Sequence, residues 1–144
     1  RVELFTEQGR PVTSGLRIGA PVTVNVHFLL VDPTESFDVG LGFDSMQGQR
    51  IFTAHTLFQP GLHDGRRVGQ QTLICEIPSL TLVPGDYRLR VAHNLGGVTA
   101  DVVDDAARLT IAHSDYYGTG RVPWNGTLVL RHQWRFAGAG DWEP

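Results

Sequence analysis

The stretch Val22-Thr23-Val24-Asn25-Val26-His27-Phe28-Leu29-Leu30-Val31 sets the fold class. Val22, Val24, Val26, Phe28 and Leu30 recur at every second position, with Thr23, Asn25 and His27 between them. A strand points alternate side chains to opposite faces, so this period of two gives one oily face and one polar face. The segment reads as a half-buried strand with Asn25 and His27 turned away from the core.

The same reading extends to Phe37-Asp38-Val39-Gly40-Leu41-Gly42-Phe43-Asp44, where the apolar residues point inward and only Asp or Gly points outward. A strand face without side chains admits either a ligand or a neighbouring piece of the protein, and both readings stay open. Further strands are expected over 2–6, 49–55, 70–77, 86–92, 98–102, 108–113 and 126–136. Turn signals separate them, including Gln8-Gly9-Arg10-Pro11, Pro60-Gly61, Pro84-Gly85-Asp86 and Gly96-Gly97. In 102–109, Asp104-Asp105-Ala106-Ala107 admits a turn of helix as the alternative. The chain is thus predicted to be all-β, an antiparallel immunoglobulin-like or jelly-roll sandwich of about nine strands. One domain is expected over 1–136, followed by a small, polar, fraying tail over 137–144.

Composition narrows the function. The 144 residues carry a formal charge of −3, and all twelve basic residues are Arg. Such a balance offers no electrostatic footprint for nucleic acid. No apolar run approaches the roughly 20 residues of a membrane-spanning helix and no signal-peptide pattern opens the chain, so a soluble protein is expected. The start at Arg1, with Met46 the single methionine, suggests a processed or excised end. Cys75 has no partner for an internal disulfide and reads as a small buried apolar residue, compatible with the cytoplasm.

Catalytic patterns are missing from the sequence. A P-loop needs a Lys, and there is none. No G-x-S-x-G or H-E-x-x-H occurs, and the six His at 27, 55, 63, 93, 113 and 132 are dispersed. Asp32, Asp38, Asp44, Asp101, Asp104 and Asp105 offer no spacing that signals a glycosidase pair. We therefore expect no enzyme, no cofactor and no metal site. An open sheet face suits sugars, whose hydroxyls pair with Asn, Asp, Arg and His. Arg88 and Arg90 point away from the core side of their strand and suit a carboxylate or phosphate. A solvated face with an Asp across the ladder is the competing reading. Trp134 and Phe136 share parity with Leu128 and Leu130, which predicts core or interface, and Trp124 falls in a turn.

Several segments in order resemble the C-terminal domain of Wzt, the nucleotide-binding subunit of O-antigen ABC exporters. They are Val2-Glu3-Leu4 with the Gly9 turn; Gly19-Ala20-Pro21-Val22-Thr23-Val24; Val39-Gly40-Leu41-Gly42-Phe43-Asp44 followed by Gly48; Ile51-Phe52-Thr53-Ala54-His55-Thr56; Ile77-Pro78-Ser79-Leu80-Thr81-Leu82-Val83-Pro84-Gly85-Asp86-Tyr87; Asp104-Asp105-Ala106-Ala107-Arg108-Leu109-Thr110-Ile111; Tyr116-Tyr117-Gly118-Thr119-Gly120; and a closing strand over 126–134, together spanning nearly the whole chain. His55 stands where the family usually has Asn. The resemblance implies a polysaccharide-binding module that recognises an O-antigen glycan at its non-reducing end on the cytoplasmic face of the membrane. It also implies an ATPase domain upstream, a membrane permease as partner, and a homodimer, in some members by exchange of the last strand. The ligand-binding residues expected here are Asn25, His27, His55, Arg88 and Arg90.

Overall fold

The computed structural model describes residues 1–32, 37–62 and 68–138; His63 and the part of the expected tail over 139–144 lie outside the described residues. Seven strands form, β1 (Val2–Phe5), β2 (Val22–Leu30), β3 (Phe37–Ser45), β4 (Arg50–His55), β5 (Gly69–Ile77), β6 (Gly85–Leu95) and β7 (Val98–Ile111). They pair antiparallel in two sheets, one ordered β1-β2-β5 and the other β4-β3-β6-β7. The chain is all-β as expected, but among the described residues the strands number seven rather than nine.

Two expected strands account for the difference. The segments 98–102 and 108–113 are parts of one long strand, β7, which pairs with β6 along most of its length. Their separation in sequence reflects a bulge rather than a turn of helix. Leu89 pairs with Ala107 and Val91 with Val103, so Arg90 alone faces the excursion 104–106, and Asp105 takes a left-handed φ of 53°. Bulges of this kind bend a ladder locally without ending it.

The second correction concerns 126–136, which forms no strand. It makes one isolated bridge, Leu82 to Leu128, flanked by Val83 N–H donating to Thr127 O and Val129 N–H to Thr81 O, both at 2.8 Å. Val129 is the residue turned inward, at 2% exposure, while Leu128 and Leu130 are 56% and 66% exposed. With no strand here the expected shared face does not form, and all four residues of the apolar set point to solvent: Trp134 is 90% exposed and Phe136 fully so. Within this chain none of the four belongs to the core.

The core lies between the sheets. Val22, Val24 and Val26 of β2 face Val39, Leu41 and Phe43 of β3, with Tyr87 and Leu89 of β6 and Leu109 and Ile111 of β7 completing it. Burying one such side chain contributes about 1.5–3 kcal/mol, which makes this layer the main source of stability. Phe43 stacks on Phe52 with centroids 4.3 Å apart. The Tyr87 hydroxyl donates to Val83 O at 2.6 Å, so its ring is buried without stranding a polar group. Cys75 lies opposite Val24 and is half-buried; desolvation, then the neighbouring Glu76, pushes its thiol pKa up.

Candidate functional site

The five residues expected to bind ligand divide between the two sheets. Asn25 and His27 lie on the outer face of β1-β2-β5, whereas His55, Arg88 and Arg90 lie on β4-β3-β6-β7. Sheet assignment depends on pairing partners far apart in sequence, which a period of two cannot supply.

On the first face the polar groups satisfy one another. His27 Nε2 lies 2.7 Å from Glu3 Oε2 on β1, and its Nδ1 lies 2.9 Å from Thr72 Oγ1 on β5. Both ring nitrogens are thus engaged, and the imidazole ties three strands together. Asn25 sits opposite Glu3 and Ile74, with its side-chain oxygen shielded from water and unpaired.

The second face is built on the glycines of β3. Ladder pairing sets Gly40 between His55 and Ala92, Gly42 between Thr53 and Arg90, and Asp44 between Arg50 and Arg88. Both glycines are covered by side chains from β4. A Cβ at Gly40 would sit 2.9 Å from His55 Cδ2, and one at Gly42 would collide with the Arg50 guanidinium. The missing side chains of β3 therefore let its own neighbour lie flat across the sheet. The outer surface stays low and rich in N–H donors.

Each polar group on this face has a defined setting. Arg50 is ion-paired with Asp44, and its Nη1 donates to Thr53 Oγ1 at 3.0 Å. His55 Nδ1 accepts from Leu57 N–H at 3.1 Å and so caps the short 3₁₀ turn Thr56–Phe58. Arg90 pairs with Asp104 of the β7 bulge at 2.7 Å, the competing reading of that residue. Arg108 donates twice to Asp105, from Nε at 3.0 Å and from Nη2 at 2.7 Å. The Arg108 hydrogen bonds are the main reason that the Asp105 carboxyl is held below its usual range. Arg88 has no carboxylate within ion-pair distance among the described residues.

Sequence reading missed Arg50, Thr53 and Arg108 as members of this face. Arg50 and Thr53 have opposite parity and share this face only through the register shift of the β3–β4 ladder at Phe43/Asp44, and their position beside Arg88 and Arg90 required the β4-β3-β6-β7 order. The assembled surface offers guanidinium, imidazole and hydroxyl donors among carboxylate acceptors, the complement of a sugar's hydroxyls. Among the described residues no three His, Cys, Asp or Glu side chains group as metal ligands, and no helix is long and apolar enough to cross a membrane.

The Wzt C-terminal domain family matches residues 1–122, most of the chain. The chain belongs to that family. Wzt C-terminal domains are non-catalytic binding domains with a carbohydrate-binding role in O-antigen ABC exporters. Among solved structures, the crystal structure of the C-terminal domain of Wzt superposes with a TM-score of 0.73 at 14% identity, covering 94% of this chain and 81% of that one. That likeness establishes a Wzt-type sandwich. No curated protein matches the chain. The exposed apolar segment beyond Pro123 lies outside the part matched by the Wzt family.

Proposed function

We propose that this Wzt-family domain recognises an O-antigen or related glycan, at its non-reducing end, through the outer face of β4-β3-β6-β7. Export would follow by an ABC transporter whose ATPase domain lies upstream of Arg1 in the full-length protein and whose permease lies in the membrane. The domain then works on the cytoplasmic side. The observation that carries this reading is the glycine floor of β3, over which the His55 ring and the Arg50 guanidinium lie flat while Thr53, Arg90 and Arg88 flank it on the neighbouring strands. A flat polar floor accommodates extended sugar rings, and the flanking side chains supply directional hydrogen bonds. Asn25 and His27 are then structural, closing the opposite face on itself.

Isothermal titration with the O-polysaccharide of the host organism tests the proposal. Saturable binding that Arg88→Ala/Arg90→Ala weakens at least tenfold is expected. Absence of heat or NMR line-broadening at millimolar glycan overturns it.

A second reading concerns assembly. Leu128, Leu130, Trp134 and Phe136 form an outward apolar row on a segment with one bridge to its own domain. An extended chain with one oily side suits pairing with another copy, and we propose a homodimer held through this segment. In the alternative, the domain serves dimerisation alone and binds no glycan. Loss of dimers on removal of 126–144, together with unchanged export phenotype in Arg88→Ala/Arg90→Ala, would favour that alternative.

A further inference from the structure

The central row of the β4-β3-β6-β7 face leaves one guanidinium without a direct ion pair among the described residues. Across the ladders Arg50 pairs with Asp44, Asp44 with Arg88, and Arg88 with Arg108. Asp44 is ion-paired with Arg50 and Asp105 with Arg108, while Arg88 makes no direct ion pair among the described residues and acts on Asp105 only at longer range. Along the strand, Arg90 is paired with Asp104, and Asp86, which accepts the Thr110 hydroxyl at 2.6 Å and keeps its charge, acts on Arg108.

Arg88 is thus a partly buried cation directly opposite another cation. Like charges facing one another across a ladder are destabilising, and partial burial removes some of the water that would relieve them. The position is also accessible. Gly48, at φ +87° in the β3–β4 turn, puts no side chain beside it, and a Cβ there would lie 3.6 Å from Arg88 Nη2.

Resting on the glycan reading above, we propose that the recognised sugar is anionic, its carboxylate or phosphate oxygens bridging Arg88 and Arg108. Two guanidiniums facing one oxyanion give parallel, charge-assisted N–H···O bonds, and the anion removes the repulsion between them. Arg108 shares its fork with Asp105, so Arg88 provides the larger part of the contact. A neutral sugar leaves the row as it is.

The test is a titration of the isotopically labelled chain, following Arg Nε–H and the Gly40 and Gly42 amide signals by NMR. The probes are methyl β-glucuronoside, glucose 6-phosphate, inorganic phosphate and the neutral methyl β-glucoside. We expect the two charged sugars to move the Arg88 and Arg108 signals together with the glycine amides. Arg88→Gln, with an unchanged Tm, should weaken both at least tenfold, and raising the salt from low to high should do the same. If the glucoside binds this face as tightly as the glucuronoside, or Arg88→Gln changes nothing, the anionic inference falls while the glycan reading stands. If inorganic phosphate moves Arg88 but no sugar moves Gly40 or Gly42, the anion clasp stands and the glycan reading falls. If no anion moves Arg88 or Arg108, the inference is wrong whatever the polysaccharide titration gives.

Discussion

The segments 22–30 and 126–136 carry nearly the same alternation of apolar and polar residues, yet they end in opposite conditions. The first is β2, paired on one side with β1 and on the other with β5, its inward valines almost wholly removed from water. The second makes one bridge and leaves its leucines, Trp134 and Phe136 outside. An alternating pattern specifies a strand that needs an apolar surface to lie against; it does not say whether that surface belongs to the same chain. For 22–30 the opposing surface is β3 and β6, whereas in 126–136 Val129 alone enters the core, the Leu130 carbonyl, Arg131 and His132 being held at the surface by Tyr116 and Tyr117.

Substitutions should separate the two segments in order of effect. Val24→Asp sets a carboxylate in the sealed core between the sheets and should destabilise by about 4 kcal/mol or more in urea denaturation, or abolish folding. Leu130→Asp should change the stability of the monomer by no more than about 0.5 kcal/mol. A comparable loss at both positions would show that the two segments are equally part of the core. Val129→Ala, at the buried residue of the segment, should cost about 1–3 kcal/mol in the same assay. Trp134→Ser with Leu130→Asp should weaken self-association at least tenfold in sedimentation equilibrium, and an unchanged association constant would remove the segment from the interface.

Smaller effects are expected on the second sheet. Gly42→Ala must displace the Arg50 guanidinium, which is the free end of a flexible side chain, so the loss should stay below about 1 kcal/mol, close to the value of one exposed ion pair. A larger loss would mean that β3 itself requires glycine there. His93 gives the mildest test. Its Nε2 is shielded and unpaired, its ring lies against Phe28 and Phe37, and desolvation lowers its pKa, with Asp101 across the ladder pulling weakly the other way. The unfolded chain therefore binds this proton more readily than the folded one. Stability should hold above about pH 6.5 and decline as the pH falls below it, and His93→Leu should flatten that decline in thermal melts.

Much of the fold was readable because apolar and polar or small residues alternate along β2, β3 and the first part of β6. The long β7 was not, since Asp104-Asp105-Ala106 breaks the period at a bulge that only the opposing β6 ladder keeps within one strand. The candidate face was half readable. Parity turned Arg88 and Arg90 outward, and it turned Asn25 and His27 outward just as clearly, with no sign that they lay on different sheets. The glycines of β3 also admitted two readings. Arg50 and His55 lie over them, and this became visible only once β4 was seen beside β3.

By itself the amino-acid sequence determined that this protein is all-β, which side of most strands is oily, and that the motifs of nucleotide hydrolysis and common hydrolase chemistry are missing. Those properties are local, set by the alternation of side chains along an extended backbone and by which residue types are present. The tertiary structure alone decided which strands are neighbours, and therefore that Arg88 meets Arg108, that His27 is occupied by Glu3 and Thr72, and that the last apolar row faces outward. Pairing joins residues dozens of positions apart, and its outcome is fixed by how two whole sheets fill the space between them, a property that no single segment contains.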